Sequence, residues 1–275
     1  NMIVWIASYP KSGNTWVRSF LTSYLYNKKE KFDLDTLDNI DQFPKLKNFL
    51  DIDEEPNNLL EISKLWITAQ NRINLSNDIT FLKTHHAMCT IQNNPFTNRD
   101  NTLGAIYIVR DPRDVVISYS SHGNSSYKET IEGMVSGKMQ TVLVDDKKER
   151  ALALIGNWSE NYNSWKNFNL KKKIIIRYED LVNKPFDNFL KIIEFLNSLY
   201  DLKINKDKIH ECIEKTSFSN LQNLEKKYGF KERVSKKELF FRSGKTNQWH
   251  HKLDKEDVMK IENAFKNEMK ELGYI

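Results

Sequence analysis

The sequence predicts an α/β protein: one parallel β-sheet flanked by helices on both faces, in a single domain over residues 2–275. Three observations carry this. Four short apolar runs rich in β-branched and aromatic residues, at 2–8, 79–83, 105–109 and 174–177, read as buried strands. Each is separated from the next by a stretch long enough for a crossover helix, which favours parallel pairing. Apolar stripes at helical spacing fill several of the remaining stretches.

In chain order, the run MIVWIAS at 2–8 is the first strand, and a turn follows at 9–13. Trp16, Phe20 and Tyr24 then recur every fourth residue, so a helix begins near Asn14. Residues 30–60 are rich in Asp and Asn and poorly periodic. With 123–147 they read as loops and short helices over one end of the sheet, where open α/β folds bind ligands. Leu152, Ile155, Trp158, Tyr162, Trp165 and Phe168 share one face of a long helix. Pro185 opens another helix running through Leu199, in the first-turn position that tolerates a missing N–H. Val258, Ile261, Phe265, Met269 and Leu272 repeat the helical stripe near the end, and both stripes read as core faces rather than cofactor boxes.

Composition excludes several classes. Nine glycines, six prolines and 12% aromatic residues describe neither a linker-rich nor a disordered chain. Cys89 and Cys212 form no disulfide framework and no CxxC pair, so a reducing, cytoplasmic compartment is expected. No apolar run reaches membrane-spanning length. Asn1 precedes Met2, so Asn1 reads as an expression remnant with no signal peptide after it. A net charge of +5 suits a focused anionic ligand and is too dispersed to imply a nucleic-acid partner.

The chemistry concentrates in Ser8-Tyr9-Pro10-Lys11-Ser12-Gly13-Asn14-Thr15-Trp16. Strand, tight turn and helix start together make a phosphate cradle. Backbone N–H groups point into the turn, the helix N-terminus is positive, and Lys11 adds a mobile charge. Gly13 lets the backbone approach an anion with no Cβ in the way. This is not a Walker A loop, because the lysine precedes the glycine and no earlier glycine stands at the required distance.

YPKSGNTW closely resembles the 5′-phosphosulfate loop of the cytosolic-type sulfotransferases, which use 3′-phosphoadenosine 5′-phosphosulfate (PAPS) as donor. Five further segments match in the family's order. Tyr107 to Tyr119 (YIVRDPRDVVISY) resembles the strand and helix that grip the 3′-phosphate, and Phe81-Leu82-Lys83-Thr84-His85 resembles the strand ending in the catalytic histidine. Arg177-Tyr178-Glu179-Asp180-Leu181 and Thr216-Ser217-Phe218 resemble adenine-contacting segments, and Phe241-Arg242-Ser243-Gly244-Lys245, followed by Trp249, resembles the late basic loop. The match spans residues 4 to 250, and it implies a P-loop nucleoside-triphosphate-hydrolase-like fold. In two places the chain departs from the pattern. Ser243 stands where the family commonly has lysine, leaving Lys245 as a candidate substitute, and Asn247-Gln248 replace Gly-Asp before the tryptophan. No copy of the short dimerisation motif of animal members is present, so the oligomeric state stays open.

The resemblance implies roles. His85 is the expected general base, with His86 as its rival on the opposite face. Lys11 is expected at the bridging oxygen of the donor, where negative charge grows. Lys83 either assists the transferring sulfuryl group or is a neighbour. Ser12, Gly13, Asn14, Thr15 and Trp16 are expected to supply backbone N–H groups to the 5′-phosphate. Arg110, Ser118 and Arg242, with Ser243 and Gly244 beside them, are expected at the 3′-phosphate. Trp16 and Phe218 either sandwich a purine or pack in the core, and Tyr178 and Thr216 are expected at the adenine edges. No metal is expected, because HExxH and CxxC are absent and a sulfuryl group carries less charge than a phosphoryl group. The reading is transfer from PAPS, with 3′-phosphoadenosine 5′-phosphate (PAP) as product, to the hydroxyl or amine of a small molecule. The competing readings are a nucleotide kinase and a non-catalytic nucleotide binder on a related fold. Fold-level likeness does not identify the acceptor.

Overall fold

The computed structural model describes residues 2–27, 31–49, 58–76, 78–137, 140–142, 152–170, 172–234 and 238–275. Its centre is a five-stranded sheet built from β1 (Ile3–Ser8), β2 (Asp41–Gln42), β3 (Thr80–Thr84), β4 (Thr102–Val109) and β5 (Lys173–Arg177). The strand order is β2-β3-β1-β4-β5, and every pairing is parallel, as the crossover spacing predicts. β1 lies in the middle. Ile6 faces Lys83 on one side and Ile106 on the other, which sets the carboxyl ends of three strands side by side.

Period-two alternation divides β1 between two cores. Ile3, Trp5 and Ala7 join one apolar cluster, and Val4 and Ile6 join the other, so the strand is buried on both faces. The Val4/Ile6 face is covered by α1 (Asn14–Leu25), through Val17, Phe20, Leu21 and Tyr24, together with later helices described below. The Trp5 face is covered by α2 (Leu59–Ile73), α3 (Pro112–Gly123), α4 (Tyr127–Ser136) and α5 (Trp158–Asn167), with Trp66, Val116, Ile131 and Trp165 in that core. The chain then runs through α6 (Tyr178–Asn183), α7 (Pro185–Leu199), α8 (Lys206–Lys215) and α9 (Phe218–Tyr228). Of these, α7 and α8 bring Phe189, Ile192, Ile193, Ile209 and Cys212 to the Val4/Ile6 core.

The helix at Pro185 begins and ends where the sequence places it. The stripe from Leu152 to Phe168 does not form one helix. Leu152–Leu154 is a strand paired antiparallel with Gln140–Val142, and helix starts only at Trp158. Gly156, at φ 70°, turns the chain there, and Asn157 caps the new helix by accepting from the Glu160 N–H. Spacings of three across such a break fit a helix and a strand-plus-turn equally, so periodicity misled. The C-terminal stripe is likewise two helices, Lys255–Ala264 and Lys266–Glu271, broken at Phe265, although Ile261, Phe265 and Met269 remain buried together. The Asp- and Asn-rich stretch holds two short 3₁₀ helices, Leu34–Asn39 and Leu46–Asn48, as expected, and also the edge strand β2. Residues 30 and 50–57 of that stretch, and 138, 139 and 143–147 of the 123–147 stretch, lie outside the described residues. Among the described residues, no helix is long and apolar enough to cross a membrane.

Candidate active site

The bend after β1 is held by its own side chains. Asn14 donates from Nδ2 to the Ile6 carbonyl at 3.0 Å and to Ser8 Oγ at 3.3 Å, tying the start of α1 back onto the strand. Lys11 takes φ 62° and Gly13 φ 101°, two positive-φ residues in three that turn the chain tightly from β1 into α1. Gly13 is obligatory on a second count, because a Cβ there would lie 2.5 Å from Tyr178 Cδ2. The α1 N-terminus therefore opens with the Tyr178 ring lodged where a Gly13 side chain would be.

Arg110, at the end of β4, closes the cradle. Its Nη1 donates to the Lys11 carbonyl at 3.1 Å and its Nη2 to the Lys245 carbonyl at 3.0 Å, joining the first loop to the late one. Its guanidinium lies 4.4 Å from the centre of the Tyr178 ring. Asp114, in the first turn of α3, fixes the late loop by accepting from Asn247 N at 2.7 Å and Trp249 N at 3.1 Å. Asn247 stands at φ 59°, a left-handed conformation that asparagine tolerates best among residues with a Cβ, which accounts for its occupying a glycine position of the resembled motif. Lys245 is exposed and meets Arg110 through its carbonyl. Ser243 donates to Gln248 Oε1 at 3.1 Å. Arg242 and Ser118 line one small crevice with Lys11 and Glu238, and the Glu238 carboxylate pairs with Arg242 at 3.7 Å and accepts from Ser121.

Trp16, Tyr178 and Phe218 face a common cleft. Trp16 packs edge-on against Tyr178 and Phe189, while Phe218 presses onto Gly244, where a Cβ would meet its ring at 2.4 Å. Thr216 is fully buried, and its hydroxyl donates to the Cys212 carbonyl at 2.7 Å, closing α8. Its neighbour Ser217 lines the cleft, and Thr216 does not.

At the opposite end the two histidines part. His85 donates Nδ1–H to the Ser8 carbonyl at 2.8 Å, which leaves Nε2 as the ring's acceptor. Its own carbonyl accepts from Asn161 Nδ2 at 3.0 Å, and Tyr107 in turn donates to Asn161 Oδ1. Burial, and after it the nearby Lys83 ammonium, lowers the His85 pKa to about 3, so the ring is neutral at physiological pH. His86 turns into the core, stacked 4.3 Å from Phe96 and edge-on to Trp66. Lys83 is buried and pairs with Glu232 at 2.9 Å, and Arg18 of α1 pairs with the same carboxylate at 2.6 Å. The Lys11 ammonium lies 3.9 Å from the centre of the Phe240 ring. Burial first, then Lys83, pulls its pKa down to about 7.

These groups share a cleft of about 1680 Å³ lined by Lys11, Gly13, Asn14, Thr15, Trp16, Lys83, His85, Arg110, Ser118, Tyr178, Phe218 and Gly244. That exceeds the volume of one drug-sized ligand and leaves room for two substrates. Ser12 Oγ, Trp16 Nε1 and Arg110 Nε are buried with no hydrogen-bond partner, a donor-rich set suited to a phosphorylated nucleotide. Glu232, Arg18, His122 and Phe240 also line the cleft, and sequence reasoning missed them. Only the Asp after Arg113 carried a signal for the late-loop anchor, as part of the matched helix motif.

The sulfotransferase domain family model matches residues 2–273. Flavonol 3-sulfotransferase of Flaveria bidentis is 24% identical over 280 residues, covering 99% of this chain and 83% of that protein. Amine sulfotransferase of Oryctolagus cuniculus is 23% identical over 280 residues, covering 98% and 81%. Among solved structures, mouse sulfotransferase SULT7A1 complexed with PAP superposes with TM-score 0.63 at 19% identity, covering 98% of this chain and 84% of that one. Retinol dehydratase in complex with androsterone and inactive cofactor PAP gives TM-score 0.65 at 19% identity, covering 98% and 80%.

Proposed function

Because this chain belongs to the sulfotransferase family, we propose that the cleft moves a sulfuryl group from PAPS to a hydroxyl or amine of a small molecule, with His85 as general base and Lys11 stabilising the leaving group. The enzyme is a PAPS-dependent sulfotransferase. The donor supplies an activated sulfuryl group, and the chain's residues bind it, orient it and handle one proton.

The observation that carries the reading is the joint placement of His85 and the cradle in one cleft. Backbone N–H groups at 12–16 receive the 5′-phosphate, and Arg110, Ser118 and Arg242 receive the 3′-phosphate. Trp16 and Phe218 contact the purine faces, with Tyr178 beneath. The remaining volume, lined by Phe230, Phe240, Tyr119 and His122, takes an acceptor with apolar surface. There the His85 Nε2, held as acceptor by the Nδ1 bond to Ser8, takes the proton from the attacking hydroxyl or amine. Lys11 meets the charge that develops on the bridging oxygen, so its effect falls on the transition state. The flavonol and the amine in the names of two relatives support reading this chain's acceptor as a small molecule.

Isothermal titration calorimetry with PAP tests the donor site. Saturable one-to-one heats are expected for the wild type, with affinity lost in Arg110→Ala. Absence of heat with the wild type would sink the reading.

A further inference from the structure

We propose that Glu232 is a positioning residue for sulfuryl transfer, gripping the Lys83 ammonium and holding it at the His85 end of the cleft. The proposal rests on the cleft being the transfer site.

Two buried cations from different elements converge on this carboxylate. Arg18 Nη1 of α1 stands 2.6 Å from Oε1, and Lys83 Nζ of β3 stands 2.9 Å from Oε2. Their side chains are 4% and 7% exposed, against 31% for Glu232, so the carboxylate reaches from the segment after α9 down to the cleft floor. Arg18 is itself anchored, donating from Nη2 to the Leu37 carbonyl at 3.2 Å. The segment carrying Glu232 is seated by Phe230, whose ring packs 4.9 Å from Phe240 and 5.4 Å from Phe241. Lys83 and His85 are two residues apart in extended chain, hence on one face, and both line the cleft with Glu232.

A buried ammonium without a counter-charge is displaced toward water or loses its proton. Glu232 prevents both. The charged and titratable groups around Lys83 include Glu232, Arg18, Lys45, Lys11, His85 and His122, with Asp41 on the neighbouring strand β2 taken up by Lys45 and Lys47; among the described residues the carboxylate paired with the Lys83 ammonium is that of Glu232. Burial lowers the Lys83 pKa and Glu232 opposes that shift, and the same carboxylate opposes the fall at Lys11. Removing it therefore lets both lysines lose their protons at lower pH.

The test is Glu232→Gln beside Glu232→Asp, followed by PAP calorimetry, melting temperature and the pH profile of 2-naphthol sulfation from PAPS. For Glu232→Gln, kcat should fall roughly tenfold to a hundredfold, the scale of a misplaced catalytic group, while PAP affinity holds. The alkaline limb should move down by about 1–2 pH units, as expected for a lost opposite charge. Glu232→Asp should recover both. Wild-type turnover and PAP binding alongside an unshifted Glu232→Gln profile would overturn the proposal alone. A loss equal at every pH that follows a fall in melting temperature would overturn it too, since that marks a structural role. A wild type that ignores PAP would overturn the donor-site reading and this proposal with it.

Discussion

At the residue scale, the proposed base His85 lines the cleft with Nε2 left as its acceptor. The Ser8 carbonyl takes its Nδ1–H, and burial with Lys83 nearby holds the ring neutral. His85→Ala should lose roughly a hundredfold or more in kcat, the usual scale for a general base, while PAP affinity by calorimetry stays put. Undiminished turnover would remove it from the mechanism. The pH dependence follows from the signs. A base works neutral, and a pKa lowered to about 3 keeps His85 neutral above that, so no acid limb should appear near the ordinary histidine value of 6.5. Lys11 works charged, and with a pKa lowered to about 7 it loses its proton as pH rises through that value. kcat/KM, which reports the free enzyme, should therefore fall above about pH 7, while bound donor anion holds the proton on and carries the kcat limb higher. Matching limbs for the two parameters would count against Lys11. That Lys11 and His85 line the cleft was legible in the sequence, because each sits in a short motif. Glu232 was not, since its partners Arg18 and Lys83 lie 214 and 149 residues away and no local pattern announces such a pairing.

At the element scale, the bend between β1 and α1 needs a glycine for two independent reasons, its φ of 101° and the Tyr178 ring against it. Gly13→Ala should cost about 2–4 kcal/mol, summing a left-handed penalty with overpacking, and should weaken PAP binding as Tyr178 and the loop move apart. Chemical denaturation and calorimetry together read both effects, and an unchanged pair of values would refute the account. The strands and the Pro185 helix were legible because burial on both faces leaves continuous apolar runs and because proline marks a first turn. The Leu152 to Phe168 stripe misled because the sequence signal for its break, Gly156-Asn157, sits inside a spacing that still reads as helical. α4 is one of the short helices expected in the 123–147 stretch, and Ser126 and Glu129 form its capping box.

At the scale of the whole molecule, the cleft is assembled from distant parts of the chain, so ligand binding should act on global stability. PAP at about a hundred times its Kd should add about 2.7 kcal/mol by mass action, raising the melting temperature by roughly 5 °C for a chain of this size. Adenosine 5′-phosphosulfate, which lacks the 3′-phosphate, should give a much smaller shift at equal concentration, and an equal shift would dismiss Arg110, Ser118 and Arg242 as the 3′-phosphate grip. The guanidinium that joins the Lys11 and Lys245 carbonyls has an implication for biosynthesis. Those carbonyls lie 99 residues before and 135 residues after Arg110, so the first bend is synthesised long before its counterpart. Until the later loop has emerged the growing polypeptide has no completed nucleotide cradle, and metabolite levels in the cell can steady it only from that point on.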